Sequence, residues 1–483
     1  MKNRPPRRFA MLLLVQLALS ACSATAHSPN ATWPEPKPVS QSPTPTMVRT
    51  VPNFQAPSAQ HCSRPVSTRE VPGAYQDSGA SRREDRDRLA LSRSAPVAPA
   101  PAAESAGTGS AMADAARKSS PAGALFAPPQ HQPQQPPPQG PVTAGVVDDN
   151  ADFTSYLAFR NRTRVEHRAR DIRERYLLEV KDSRGRGIAD AEVAVQAASG
   201  HAMWARTDAA GRVWLHPNAF DPSRSASYDI AVRKDGRQGS TRLARGQKSA
   251  AEVVLDARPA ETRARLDLVF LVDATGSMAD EIDKLKATLT SISAEVSRLP
   301  SQPDLCFGLV AYRDKGDAFL LRSHDFTNDV DGFLRGALNP LRAAGGGDYP
   351  EAMNEALHET VHNLSWRGEG ATRMVVLLAD APPHLDYGGP YYDDDMVAAL
   401  GKGIKVFSVG ASGLDRQGEF IQRQIAQYTG GQFVFLTYAQ AHDPASGPGR
   451  ETVHDVKNYS VDTLDRLIVR LVTQELGKLA RPG

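Results

Sequence analysis

From Ala264 onward, compact apolar runs alternate with longer amphipathic stretches, and this rhythm predicts strands interleaved with helices. Strands are predicted at 266–272, 305–312, 319–323, 374–378, 404–409 and 432–436. Helices are predicted at 278–299, 329–338, 350–364, 393–402, 415–428 and 461–476, with Gly477 placed to end the last. Runs such as Leu266 to Val272 show little polar alternation, as strands covered on both faces do. The fold class for residues 264–480 is therefore α/β, a doubly wound and mostly parallel sheet.

Residues 176–258 follow a different period. Short alternating runs at 176–180, 191–196, 212–215, 228–232 and 252–255 are separated by Gly, Asp and Asn turns, the pattern of an antiparallel β-sandwich. Before it, residues 148–175 form a charged connecting segment, in which Phe153, Tyr156, Leu157 and Phe159 suggest a short helix. The pattern assigns no role to the charges from Arg160 to Arg175.

Residues 23–147 are rich in Pro, Ala, Ser and Gln, and 130–139 is nearly all Gln and Pro. Apolar residues there are too sparse to bury a core, so a disordered tether is expected, with order returning near Asp148. Extended, it would reach well over ~100 Å. At the start of the chain, Lys2, Arg4, Arg7 and Arg8 precede an apolar stretch, 9–19, that is too short to span a bilayer and suits a secretion signal.

Across 483 residues, 40% hydrophobic and 23% charged positions leave room for more than one core. A net charge of +2 gives no reason to expect a nucleic-acid partner. Of three cysteines, Cys22 closes the signal-like segment, Cys62 lies in polar linker and Cys306 lies inside an apolar run. No disulfide framework is indicated, and Cys306 is expected to be a small core residue.

Candidate chemistry gathers where the predicted strands end. Asp273-Ala274-Thr275-Gly276-Ser277 offers a carboxylate and two hydroxyls, hard ligands for a hard cation. Taken alone, Thr275 and Ser277 read first as caps of the following helix. Gly345-Gly346-Gly347-Asp348-Tyr349-Pro350-Glu351 places Asp348 before a second helix, and Asp380 ends the 374–378 strand. In open α/β sheets, ligands bind beyond the carboxyl ends of the strands, where these loops would meet.

These three segments, in this order, closely resemble the von Willebrand factor type A domain, whose metal-ion-dependent adhesion site they match. The resemblance spans 264–480. It implies that Asp273, Thr275 and Ser277 are metal ligands, with Asp348 and Asp380 completing the site directly or through water. The cation it implies is magnesium, with calcium or manganese as alternatives, and the partner is a protein or other macromolecule.

Two positions depart from the family's pattern: Thr275 stands where Ser is commoner, and Asp348 stands where adhesion-type members commonly have Thr. A third carboxylate makes the shell more anionic. That predicts weaker dependence on an acidic residue from the partner and a shift from magnesium toward calcium or manganese.

The turns Asp182 to Gly187 and Thr207 to Arg212 resemble those of carboxypeptidase-regulatory and transthyretin-like sandwiches, which are spacers or binding modules. Leu19-Ser20-Ala21-Cys22 resembles the lipobox of bacterial lipoproteins. By that resemblance residues 1–22 are a lipoprotein signal and Cys22 carries the membrane anchor. Ser23 then implies the outer membrane of the cell envelope.

One motif competes. His358-Glu359-Thr360-Val361-His362 matches the zinc-peptidase pattern on a predicted helix. Ser365 and Gly368 fall where its extended form wants Gly and His. Ala352, Ala356, Leu357, Val361 and Leu364 make a buried stripe that leaves Glu351, Glu355, His358, Glu359 and His362 as a solvated face. The same logic reads Asp393-Asp394-Asp395 as a helix N-terminal charge cluster. The expected function is non-catalytic binding through a metal, with a zinc peptidase and a loop-stapling structural metal as alternatives.

Overall fold

The computed structural model describes Cys62 and residues 68–73, 142–256, 264–347, 349–368 and 370–479. The signal segment, Cys22, Asp348 and most of the expected tether lie outside the described residues.

Nine strands form the central sheet, in the spatial order Thr68–Val71, Leu321–Thr327, Asp304–Tyr312, Arg265–Asp273, Ala371–Ala379, Ile404–Gly410, Phe433–Leu436, Thr143–Val147 and Ser460–Thr463. The five from Asp304–Tyr312 to Phe433–Leu436 run parallel. Antiparallel neighbours flank them on both sides.

Period-two geometry sends alternate side chains of Arg265–Asp273 to opposite faces. Leu266, Leu268, Phe270 and Val272 enter a core shared with the helices Ala279–Ser297 and Leu464–Gly477. Val269 and Leu271 enter a second core with the helices beginning at Met353, Tyr392 and Arg416. Helices on both faces explain why the strand carries so little polar alternation.

The sandwich packs Arg212–Leu215, Tyr176–Lys181 and Ala251–Val254 against Ala202–Arg206, Glu192–Ala197, Ser227–Lys234 and Arg237–Ala244. One of its pairs, Tyr176–Lys181 with Ala251–Val254, is parallel, a departure from the purely antiparallel expectation. Its interior is continuous with the second core of the α/β domain.

A buried ionic contact joins the two domains. Asp190 of the sandwich accepts from Arg206 Nε at 2.6 Å, from Arg373 Nη1 at 2.9 Å and from the Gly370 N–H at 2.7 Å. Burial would raise this carboxyl, but the Arg206 and Arg373 charges hold it well below the usual carboxylate range. Nearby, Lys405 Nζ bridges Asp208 of the sandwich at 3.2 Å and Glu475 of the last helix at 2.7 Å.

The charged connecting segment also has a structural role. Helix Phe153–Arg162 starts it, and Arg168 and Arg170 pair with Asp393 at 3.1 and 2.9 Å. Arg175 lies over the rings of Phe153 and Trp214.

Two expectations are corrected. Thr68–Val71 and Thr143–Val147, inside the expected 23–147 tether, are strands of the central sheet. Both are short, and Thr68–Val71 is largely exposed, so neither carries the apolar pattern from which a strand is read. The expectation of no disulfide also fails, because Cys62 is bonded to the buried Cys306 across 244 residues, with their Cα atoms 5.8 Å apart. Pairing of Thr68–Val71 with Leu321–Thr327 and the Asn328 N–H bond to the Cys62 carbonyl bring the cysteine to the sheet.

Asp190→Ala leaves two buried guanidinium groups without this carboxylate. Since Arg206 retains Glu192, the expected loss of unfolding free energy is about 3 kcal/mol, measured by denaturant titration. Asp190 and Glu475 both have folded values below their unfolded ones, Glu475 being drawn down from 4.5 to about 2, against burial, by Lys405 and Lys478. Their contribution is complete above roughly pH 4.5 and is lost as pH falls toward 2. Acid titration of stability is expected to show this slope, and Glu475→Gln is expected to flatten it.

Candidate metal centre

Asp273 ends the Arg265–Asp273 strand, opposite Tyr312 in register, and the chain then turns into a 3-10 turn, Gly276–Met278. Thr275 sits at the cap position of that turn yet makes no side-chain capping bond. Its hydroxyl instead donates to Asp273 Oδ1 at 2.7 Å, and its N–H donates to the same oxygen at 3.0 Å. Thr275 Oγ1 lies 3.4 Å from Ser277 Oγ, so the acid and both hydroxyls face one point. The capping alternative is set aside for Thr275, whose oxygen is turned toward the carboxylate.

The second loop packs directly on the first. Gly276 N–H donates to the Gly345 carbonyl at 3.0 Å, and Ala344 N–H donates to the Ala274 carbonyl at 3.1 Å. Gly346 has φ +71°, and a Cβ there would lie 2.7 Å from both Glu351 Oε1 and Thr275 Cβ. Only glycine lets the loop pass between these side chains.

The third loop joins through Glu351, whose N–H donates to the Pro382 carbonyl and whose carbonyl accepts from the His384 N–H, both at 3.1 Å. Asp380 is buried at the end of Ala371–Ala379, with the Ser277 hydroxyl and the Glu281 carboxylate acting on it.

Among the described residues, these acids come together with no lysine or arginine paired to Asp273 or Asp380. Asp273 is pushed up to about 7, first by burial and then by the charge of Asp380. Burial raises Asp380 as well. Tyr312, fully buried beside them, is raised well above its ordinary value by burial and then by Asp273, Asp380 and Glu351. Asp273 Oδ2 is buried without an aligned hydrogen-bond partner among the described residues, although the Tyr312 hydroxyl is close.

Such an oxygen, beside further carboxylates and two hydroxyls at a sheet edge, suits a hard divalent cation. Asp273, Thr275, Ser277 and Asp380 are thus brought together, whereas Asp348 lies outside the described residues. Glu351, Tyr312 and Glu281 also belong to this neighbourhood and were not singled out from the sequence.

A clear signal for Glu351 was its position after the glycine loop. The expectation that Glu351 and Glu359 lie on a solvated face is corrected: both are buried. Glu351 is held by the Pro382 to His384 segment. Glu359 accepts from Ser323 Oγ at 2.8 Å and Asn363 Nδ2 at 2.6 Å and pairs with Arg69. His384 is buried and stacks on Tyr387 at 3.7 Å between ring centroids.

Part of the chain is similar to known proteins. Residues 267–383 match the family model described as the von Willebrand factor A domain. The chain is 30% identical over 139 residues to an alpha-protein kinase of Dictyostelium discoideum, covering 29% of this chain and 22% of that protein. It is 35% identical over 143 residues to von Willebrand factor A domain-containing protein 7 of Mus musculus, covering 30% of this chain and 14% of that protein. The chain thus spans under a quarter of the length of each of these relatives. A pilus adhesin, SpaC from Lactobacillus rhamnosus GG in its open conformation, is similar at 17% identity and a TM-score of 0.25, over 43% of this chain and 31% of the adhesin.

Saturating magnesium or calcium is expected to raise the thermal midpoint, by an amount equivalent to about 2.7 kcal/mol at a hundred times Kd. Asp273→Asn, which keeps an oxygen for Thr275 but removes the charge, is expected to gain nothing from either metal in the same melts.

Proposed function

We propose, from the von Willebrand factor A domain this chain carries, that it is a non-catalytic binding protein of the bacterial cell envelope, in which a divalent cation at the sheet edge is completed by an oxygen of a macromolecular partner. Asp273, Thr275, Ser277, Asp348 and Asp380 would hold the ion, magnesium first and calcium or manganese as alternatives. The observation that carries this reading is the buried Asp273 Oδ2, without an aligned hydrogen-bond partner among the described residues, beside Asp380 and two hydroxyls at the carboxyl ends of parallel strands.

Lipidation of Cys22 would anchor the protein at the outer membrane. The Cys62–Cys306 disulfide fits export, because such bonds persist in oxidising compartments. It also limits the tether. Only the segment between Cys22 and Cys62 would separate the folded body from the lipid, a reach of at most roughly 130 Å for about 40 extended residues.

A zinc peptidase is the weaker reading. The Glu359 carboxylate is committed to Ser323, Asn363 and Arg69, so it is not placed to act as general base on a water held by His358 and His362. No nucleic-acid partner is proposed.

Pull-down of partners from envelope fractions is expected to succeed with magnesium or calcium present. It should fail with chelator or with Asp273→Ala, and capture that persists in chelator overturns the metal-mediated reading. Calorimetric titration of Asp348→Thr is expected to shift preference toward magnesium, and an unchanged preference removes Asp348 from the shell.

A further inference from the structure

Away from the sheet edge, two helices place a second set of metal-ligating groups together. His358 Nδ1 lies 3.0 Å and His362 Nε2 lies 2.9 Å from Asp395 Oδ1, and the three ligand atoms lie within 4.8 Å of one another. The histidines come from the helix that begins at Met353 and passes into a π-turn over Glu359–Asn363. Their rings are stacked, with centroids 4.4 Å apart. Asp395 comes from the first turn of Tyr392–Lys402.

We propose that His358, His362 and Asp395 form a site for a zinc-class divalent cation that clips these two helices together without catalysis. Two imidazoles and one carboxylate are the donor set that zinc takes in three-ligand protein sites, at about 2.0–2.2 Å from each atom. Tetrahedral placement at those lengths sets donors roughly 3.3 Å apart, so each His–Asp separation needs to open by only a few tenths of an ångström, while the two histidine nitrogens, within 4.8 Å of each other, would settle at the same spacing.

Asp395 supplies a second, independent sign. Its side chain is 3% exposed, and its Oδ2 is buried with no hydrogen-bond partner among the described residues. Both histidines converge on the other oxygen, an arrangement that leaves acceptor capacity unused at a point where burial makes it costly. The His358 and His362 side chains are 44% and 22% exposed, so a cation can enter from solvent and keep a position for water or a partner's donor.

Lys402 is the opposing charge nearby. Its ammonium is occupied by the Val361 carbonyl at 2.7 Å, and burial first, then Arg373, lower it to about 8. The Glu359 carboxylate is engaged with Ser323, Asn363 and Arg69, which removes the base that hydrolysis would need. The helices joined by the clip follow directly on Glu351 and on the Asp380 to Tyr391 loop. The clip would therefore brace the elements that frame the sheet-edge site from the opposite end.

The test is zinc content and affinity of the full chain, stripped with chelator, reloaded with zinc alone and dialysed, with cobalt substitution as a spectroscopic readout. Wild type and Asp273→Ala are both expected to retain one zinc and to show the visible bands of tetrahedral cobalt. His358→Asn and Asp395→Asn are expected to weaken zinc by about 100-fold or more, beyond what loss of a supporting residue costs. His358→Asn changes a half-exposed side chain and decides the matter if Asp395→Asn fails to fold. Absence of bound zinc in the wild type, or equal affinity in His358→Asn, overturns the proposal.

Discussion

The structure depends on how its buried carboxylates are compensated, and Asp190 shows the strictest case. It lies at the junction of two domains, where Arg206 of the sandwich and Arg373 of the sheet both reach it. Removing a charge from water is costly, and a pair of guanidinium groups with a backbone N–H repays that cost only when the two domains are docked. The sandwich is therefore held against the α/β domain by more than apolar area. Its core and that of the second sheet face are continuous.

Asp273 and Asp380 are treated in the opposite way. They too are buried, yet among the described residues no arginine or lysine pairs with either, and burial first, then the charge of Asp380, raises Asp273 to about 7. A chain that supplies guanidinium partners to Asp190, Asp149 and Asp267 has the means to neutralise acids internally. Where it withholds them, at the carboxyl ends of parallel strands and beside two hydroxyls, the proposed ion would supply the missing charge. Asp395 stands between these cases, met by two histidines on one oxygen and, among the described residues, by no hydrogen-bond partner on the other.

Much of this was legible in the sequence. The strands Arg265–Asp273, Asp304–Tyr312 and Ile404–Gly410 carry local apolar signals strong enough to be read without their neighbours. Helix ends were legible for the same reason: Gly403 and Gly430 adopt φ +67° and +77° just after the helices they stop. The expected strand at 319–323 is displaced to Leu321–Thr327, because its inward register is set by pairing with Asp304–Tyr312 and includes polar Ser323 and His324. The strands Ala202–Arg206 and Arg237–Ala244 escaped notice, the second because it is mostly exposed and polar.

The sequence by itself determined the alternation of strand and helix, the change of period at the sandwich, and the placement of Asp273, Thr275, Ser277 and Asp380 in loops at strand ends. These follow from contacts within a few residues, which local pattern encodes. Only the tertiary structure decided that Cys62 pairs with Cys306, that Thr68–Val71 and Thr143–Val147 extend the sheet, and that Glu351 and Glu359 are buried. It also decided that His358 and His362 meet Asp395. In each of these the partner lies tens to hundreds of residues away. Whether a polar side chain faces water or another chain segment is a property of what packs against it, which no local period contains.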